Sequence, residues 1–379
     1  MRELLRIFNH PERGVFTVVI AGTKGKGSTG YFLSEILRKS RLRVGFYHSP
    51  HLQEPRERIW LGGKPISRRE FAKGLWAIQK RLREARSSAF TYFEIMTLLA
   101  SLLFKEKKVD VAIYEAGMGG RLDAAHVFPA KLALLTPIHF DHEAFLGDTL
   151  TEIAHEKACI LKPRQDVVVA PQKSEAFREI QKMARKRHCR IWNASQPKRI
   201  SIGLLGDFQR LNAAVALSAA ALLRDRHRLP VTSEGILNGL KSHHWPGRME
   251  IFKGRPDLLL DGAHNPQSIE ALTRNLKRLF PRRRKILIFG TSRDKKSERM
   301  IPYLSKVFPV CLLTQSDNPR AKEVAALLKE ARSQFSVLIP AADSKQALAL
   351  AHRLAGPRDL VVATGSFYLI GEVRSQCRN

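Results

Sequence analysis

The sequence predicts an α/β protein of two domains, each built on a mostly parallel sheet covered by helices. Three observations predict it. Strand-like and helix-like segments alternate along the chain, which is the pattern of parallel sheets with crossover helices. A chain of 379 residues exceeds what one ordinary core organises. Residues 21–28 read Ala-Gly-Thr-Lys-Gly-Lys-Gly-Ser between an apolar strand and a helix, which is the layout of a loop that grips phosphate.

The strand before that loop covers residues 15–20. The helix after it covers 29–39, with Phe32, Leu33, Ile36 and Leu37 at helical spacing. Gly22, Gly25 and Gly27 permit backbone shapes that let N–H groups converge on one anion. The start of the helix adds its partial positive charge. Lys26 suits the outer phosphates and Ser28 offers a hydroxyl to magnesium. The general pattern has Ser or Thr directly after the lysine, whereas here Gly27 intervenes. A glycine-rich turn after a core strand is the plainer alternative.

Further along, 42–47 reads as a strand and 48–65 as an irregular stretch. Helical patterns cover 69–86 and 93–107, and a strand at 109–116 ends in Gly117-Met118-Gly119-Gly120-Arg121. Another strand, 132–137, leads to Asp141-His142. Helices follow at 149–161 and 209–224. The pattern breaks near His243-His244-Trp245-Pro246-Gly247-Arg248, and a second alternating set then includes 361–363. This places a boundary close to Pro246, between domains 1–246 and 247–379.

In open α/β sheets the ligand lies beyond the carboxyl ends of the strands. Glu115 ends an apolar strand, where a carboxylate needs a partner or a metal, so it reads as a magnesium ligand or a buried hydrogen-bonded acid. His142 reads as a metal ligand, a general base or a structural histidine. Lys157, in Glu156-Lys157-Ala158, reads on its own as a solvated helix lysine. Asp261-Gly262-Ala263-His264-Asn265-Pro266 follows an apolar run and reads equally as a turn or a site.

Composition bounds these readings. Hydrophobic residues make up 44% and charged residues 26%, as in soluble globular proteins. No run approaches the ~20 apolar residues that span a bilayer, and the charged start does not resemble a signal peptide. Four scattered cysteines, Cys159, Cys189, Cys311 and Cys377, argue for reduced thiols in the cytoplasm and against a zinc site or disulfide frame. Sixty-five Lys and Arg against 35 Asp and Glu give +30, which first suggests nucleic acid. The charges are spread, however, with only short clusters such as Arg282-Arg283-Arg284-Lys285 and Arg185-Lys186-Arg187. A polyanion-friendly surface is the better reading than a dedicated nucleic-acid site.

Taken together, the motifs resemble the folylpolyglutamate synthase family of the Mur ligase superfamily. The blocks are the phosphate loop, Ser49-Pro50-His51-Leu52, Glu57-Arg58-Ile59, Glu115 through Asp123, Asp141-His142 with Phe145 through Leu150, and Glu156-Lys157-Ala158. They continue with Gln209 and Asn212, Trp245-Pro246-Gly247-Arg248, Asp261 through Pro266, and Thr364-Gly365-Ser366 through Val373, in family order over nearly the whole chain. The resemblance implies a P-loop Mur-ligase-type ATPase domain followed by a smaller Rossmann-like α/β domain that ligates glutamate. It implies an ATP-dependent amide ligase, joining L-glutamate to dihydropteroate or a folate through an acyl phosphate. Gly22, Thr23, Gly25, Lys26, Gly27 and Ser28 would hold ATP. Ser28, Ser49 and Glu115 would hold magnesium, and His142 would serve a second metal position. Lys157 would be a candidate for carbamylation. Asn212, Arg248 and Asp261, with His264 adjacent, match positions that contact ATP, so the second domain would close over the nucleotide. Asp123 matches a residue near the pterin. A monomer without nucleic-acid or membrane partners is expected.

Departures gather on the acceptor side. Lys24 stands where the family has asparagine, Pro55-Arg56 where it has Phe-Asn, and Ala125-His126 where it has Thr-Asn. Thr136 through Phe140 lacks a family glycine, Arg293-Asp294-Lys295-Lys296 varies an Asp-Lys-Asp block, and the segment before the loop is short. Two other readings remain: a superfamily ligase for another carboxylate, and a basic nucleotide- or nucleic-acid-binding protein without ligase chemistry.

Overall fold

The structure, a computed structural model, describes residues 1–87, 89–194 and 200–377. The chain forms two compact units. The first comprises Met1–His51, Pro55–Gly203 and Phe208–Ser242; the second comprises Leu52–Glu54, Leu204–Asp207 and His243–Asn379.

The first unit opens with α1 (Arg2–Ile7), β1 (Phe16–Ala21), α2 (Lys26–Lys39) and β2 (Val44–Tyr47). A short 3-10 turn leads to β3 (Ile59–Leu61), β4 (Lys64–Pro65), α3 (Arg68–Glu84), α4 (Tyr92–Glu106) and β5 (Val111–Glu115). Then come β6 (Leu132–Leu135), α5 (Glu143–Leu146), α6 (Leu150–Ala158), β7 (Asp166–Val169), α7 (Ser174–Lys186), β8 (Arg190–Asn193), α8 (Phe208–Asp225) and α9 (Ser233–Leu240). The sheet order is β4-β3-β2-β5-β1-β6-β7-β8. All neighbours from β2 to β8 pair in parallel, and β3 and β4 add an antiparallel edge. β2, β5, β6 and β7 are buried along their length, as sheets covered on both faces require.

Local signals start the helices. α3, α4 and α6 each begin with a capping box, Ser67 with Glu70, Thr91 with Glu94 and Thr149 with Glu152, which satisfies two orphan donors per helix. Two expectations need correction. α2 begins at Lys26 rather than at residue 29, because Gly25 takes the left-handed conformation and caps it. The stretch 48–65 is not irregular throughout, since Gly62 and Gly63 at φ +61° and +86° turn β3 into β4. Trp60 on that hairpin is 6% exposed and donates from its ring nitrogen to the Glu57 carbonyl at 2.9 Å.

The second unit contains β9 (Glu250–Phe252), β10 (Asp257–Asp261), α10 (Pro266–Leu279), β11 (Lys285–Phe289), α11 (Ser297–Ser305) and β12 (Val310–Leu313). It ends with α12 (Val324–Ala331), β13 (Val337–Pro340), α13 (Ser344–Leu354), β14 (Leu360–Thr364) and α14 (Phe367–Gln376). Its sheet runs β13-β12-β11-β14-β10-β9, parallel except for β9. An aliphatic core of Leu260, Ile286, Ile288, Leu312, Val361 and Ala363 lies on one face. Among the described residues no helix is long and apolar enough to cross a membrane.

Candidate functional site

β1 lies between β5 and β6, all parallel, so three segments leave the sheet at one edge. The register sets Ile20 beside Glu115 and Ala21 beside Leu135. Gly22, one step beyond, therefore meets Thr136. Its φ is +142°, and a Cβ there would fall 2.0 Å from the Thr136 hydroxyl oxygen, so no other residue fits. The Thr23 and Lys24 N–H groups donate to the Pro137 carbonyl at 3.0 and 3.3 Å. The Thr23 hydroxyl donates to the His139 carbonyl at 3.0 Å and accepts from the His139 N–H at 3.1 Å.

Gly25, at φ +82°, is held from the other side. A Cβ on it would lie 2.1 Å from Asn212 Oδ1. Asn212 Nδ2 donates to Gln209 Oε1 at 2.9 Å, and Gln209 Nε2 donates to Ser28 Oγ at 3.3 Å. All three side chains are buried, so α8 fixes both the bend of the loop and the Ser28 hydroxyl. Gly27 is buried in the first turn of α2.

The charged groups gather on this loop. Lys26 Nζ donates to the Gly22 carbonyl at 3.2 Å and lies 3.9 Å from Glu115 Oε1. Glu115 is 4% exposed, and its Oε2 accepts the Ser49 N–H at 3.3 Å. Lys157 Nζ donates to the same Gly22 oxygen at 3.0 Å. Lys157 is thus not a solvated helix lysine, since it is only 3% exposed. Leu150, Ile153, Ala154, Lys157 and Ala158 are the buried positions of α6, and their spacing puts the lysine on the inward stripe. Burial pushes its amine down to about 7; nearby Lys26 adds to the shift, while Asp141 and Asp123 oppose it.

Asp123 sits where the segment after β5 turns back. Its Oδ2 accepts the N–H groups of Gly117 and Met118 at 2.8 and 3.2 Å, and its Oδ1 accepts that of Ala125 at 2.8 Å. Burial raises its pKa, against the pull of those three donors and Lys26. His142 differs from the buried residues around the loop. It is exposed, in the left-handed conformation, with Nε2 4.0 Å from Asp141 Oδ1. Among the described residues no three His, Cys, Asp or Glu side chains gather to hold a metal. Glu115 and the Ser28 hydroxyl are instead oxygen donors of the kind that bind magnesium together with phosphates and water.

In the second unit, Asp261 ends β10 and accepts the N–H groups of Met249 and Ala263, both at 2.9 Å. Burial raises its pKa, opposed by Arg248 and those two donors. The Arg248 guanidinium lies 4.6 Å from the centroid of the Phe367 ring, and the His264 ring lies 5.7 Å from it. His264 Nδ1 donates to the Gly262 carbonyl at 2.8 Å. The segment 261–266 is a turn that joins the end of β10 to the cap of α10.

Sequence reasoning names Thr136 through Phe140 only as a departure from the family pattern, whereas Thr136 and His139 shape the loop from just beyond β6. Their position between Asp141-His142 and the end of β6, the strand beside β1, was the available signal.

Comparison with known proteins gives these residues a family. Residues 20–203 match the Mur ligase middle domain, and residues 247–367 match the Mur ligase glutamate ligase domain. The chain is 32% identical to the dihydrofolate synthase/folylpolyglutamate synthase of Bacillus subtilis (strain 168), over 100% of this chain and 94% of that protein. It superposes on Mycobacterium tuberculosis folylpolyglutamate synthase complexed with ADP with a TM-score of 0.91 and 28% identity, covering 99% of this chain and 93% of that one. The bifunctional folylpolyglutamate synthase/dihydrofolate synthase of Yersinia pestis, complexed with AMPPNP and Mn ion, gives 0.87 and 27%, covering 100% and 92%. The chain belongs to the folylpolyglutamate synthase/dihydrofolate synthase family of Mur ligases, and it is an ATP-dependent ligase of folate metabolism.

Proposed function

We propose that the chain joins L-glutamate to the carboxylate of a pterin-bearing acid, either dihydropteroate, a folate or both, through an acyl phosphate. The observation that carries this reading is the meeting of Lys26, Glu115 and Lys157 at one phosphate loop. A carboxylate is a poor electrophile. One of its oxygens attacks the γ-phosphorus of ATP, the bond to the bridging oxygen breaks, and ADP leaves. The glutamate amine then attacks the acyl carbon, the bond to the phosphate oxygen breaks, and inorganic phosphate leaves with the amine proton passing to solvent. The first step brings two anions together, which Lys26 and the N–H groups of residues 25–28 at the start of α2 make possible.

Ser28, Ser49 and Glu115 are the residues that would hold magnesium, with His142 the candidate for a second position. The bound cation would neutralise charge on the phosphate oxygens. Asp123 is the candidate contact for the pterin, and Asn212, Arg248, Asp261 and His264 are candidates for the nucleotide. Lys157 supports a further reading. An amine with a pKa of about 7 is substantially neutral at physiological pH and can attack carbon dioxide. The N–C bond forms as one C=O π bond of carbon dioxide opens onto oxygen, the nitrogen loses a proton to solvent, and a carbamate anion replaces the neutral amine beside Lys26.

The test is glutamate-dependent release of ADP, with dihydropteroate and reduced folates offered separately. Turnover with dihydropteroate alone assigns the first glutamate addition, turnover with folates alone assigns chain extension, and turnover with both assigns a bifunctional enzyme. Absence of ADP release with every acceptor, at saturating ATP, would overturn the proposal.

A further inference from the structure

The first unit carries a groove of about 880 Å³ between α3 and α4 that the ligase chemistry does not use. Its floor is aliphatic, with Leu75, Ile78 and Leu82 from α3 and Ile95 from α4. Trp76 forms a wall and is 64% exposed, with the Lys80 ammonium 5.6 Å from its ring centroid. Arg83 and Arg86 line the groove where α3 ends. Among the described residues neither has a carboxylate partner, and Glu84 between them pairs with Arg81 at 3.5 Å.

The lining selects a ligand class. Among the described residues its neutral polar groups are few, Gln79, the Trp76 ring N–H and Ser87, and the Ser87 hydroxyl donates to Glu3 at 3.0 Å. A heteroaromatic ring system with several nitrogens and oxygens would find few partners along the aliphatic floor. A hydrocarbon body requires none. From Ala72 to Arg83 the helix covers about 16 Å at ~1.5 Å per residue, close to the ~15 Å that one lipid chain spans in half a bilayer core. The unpaired guanidinium groups stand at one end of that length, so the site is bipolar, with an apolar trough and a cationic terminus. We propose that this groove binds a single free acyl chain, with the chain along Leu75, Leu82 and Ile95 and its carboxylate held by Arg83 and Arg86.

The experiment titrates the full chain with sodium dodecanoate below its micelle concentration, followed by tryptophan emission and calorimetry. One saturable site per chain is expected, with an emission shift that Trp76→Phe abolishes. Dodecanol, which has the same chain without the charge, should bind at least tenfold more weakly. Arg83→Gln/Arg86→Gln should lose at least tenfold for dodecanoate and nothing for dodecanol, with ATP turnover and thermal midpoint unchanged. Equal affinity for dodecanoate and dodecanol would overturn the proposal. So would sedimentation with phosphatidylglycerol vesicles without binding of free dodecanoate, which would make the groove a membrane-facing surface. A concentration-dependent dimer broken by Trp76→Asp and indifferent to dodecanoate would overturn it in favour of a contact between copies.

Discussion

Lys26 and Lys157 donate to one acceptor, the carbonyl oxygen of Gly22, at 3.2 and 3.0 Å. One comes from the first residue of α2, just after the loop that carries that carbonyl, and the other from α6, 131 positions on in the chain. Two ammonium groups on one oxygen repel each other, and the buried one yields. Burial first, and Lys26 second, bring Lys157 from an ordinary 10.5 to about 7. The phosphate loop thus has one lysine placed to meet anions and another whose charge is easily given up.

That asymmetry sets a pH dependence. Between about pH 7 and 10.5 the unfolded chain holds a proton on Lys157 that the folded chain has released. Stability rises with pH wherever the unfolded state binds more protons, so this lysine contributes a rise across that window. Lys157→Met should remove it. Thermal midpoints measured from pH 6.5 to 9.5 in carbon-dioxide-free buffer should climb in the wild type relative to the variant, and parallel curves would refute the assignment.

Lys26→Ala and Glu115→Ala separate chemistry from folding. Each truncates one member of the 3.9 Å pair at the sheet edge and leaves the strands untouched. Loss of a group that stabilises the transition state costs ~10²–10³-fold in turnover. Both variants should keep circular dichroism and cooperative melting while losing at least that factor in ADP release. Turnover within a few-fold of wild type in either variant would remove that residue from the proposed machinery.

Gly25 and Asn212 test the loop from the opposite side. Alanine at position 25 meets two separate obstacles, the left-handed φ of +82° and the Asn212 oxygen 2.1 Å from the new carbon. Asn212→Ala removes the second obstacle only. The double variant should therefore recover part of the loss in ADP affinity seen for Gly25→Ala alone, with a coupling of about 0.5–3 kcal/mol, as expected of residues in contact. Strictly additive losses would mean that the two do not touch.

Much of this site was legible because its signals are local. Glycine spacing after an apolar strand marked the loop, and a carboxylate ending another apolar strand marked Glu115. Lys157 was misread as solvated because a lone lysine carries no sign of its surroundings, although it sits on the same helical stripe as Leu150, Ile153 and Ala154. The contact between Gly25 and Asn212 joins residues 187 positions apart, and no local pattern encodes it. The hairpin of β3 and β4 escaped notice because its strands have three and two residues, too few for alternation to register.

Asp123 offers a test on the acceptor side. Its two oxygens accept three N–H groups in a buried turn. Asp123→Asn replaces one acceptor with an amide that faces a donor, at a cost of about 1–3 kcal/mol. The KM for the pterin substrate should rise while the KM for ATP holds, and steady-state kinetics with each substrate varied in turn will read the difference. An equal rise in both would point to a purely structural role.

Arg374 and Glu250 make the corresponding test in the second unit. The guanidinium contacts both carboxylate oxygens at 2.9–3.1 Å and also donates to Gln53 at 3.0 Å, with Arg374 4% exposed and Glu250 10%. Glu250 also accepts the Gly247 N–H at 2.9 Å, which ties the pair to the turn that presents Arg248. Removing one partner leaves the other charge buried and costs ~3–5 kcal/mol, whereas replacing both with apolar groups is far milder. Arg374→Met should thus lower the denaturant midpoint of the second unit more than Arg374→Met/Glu250→Leu does. The double variant should still release the Gly247 N–H and disturb Arg248, so its ADP affinity should fall even where its stability recovers. Recovery of both together would show that the ion pair supports stability alone and has no part in positioning Arg248.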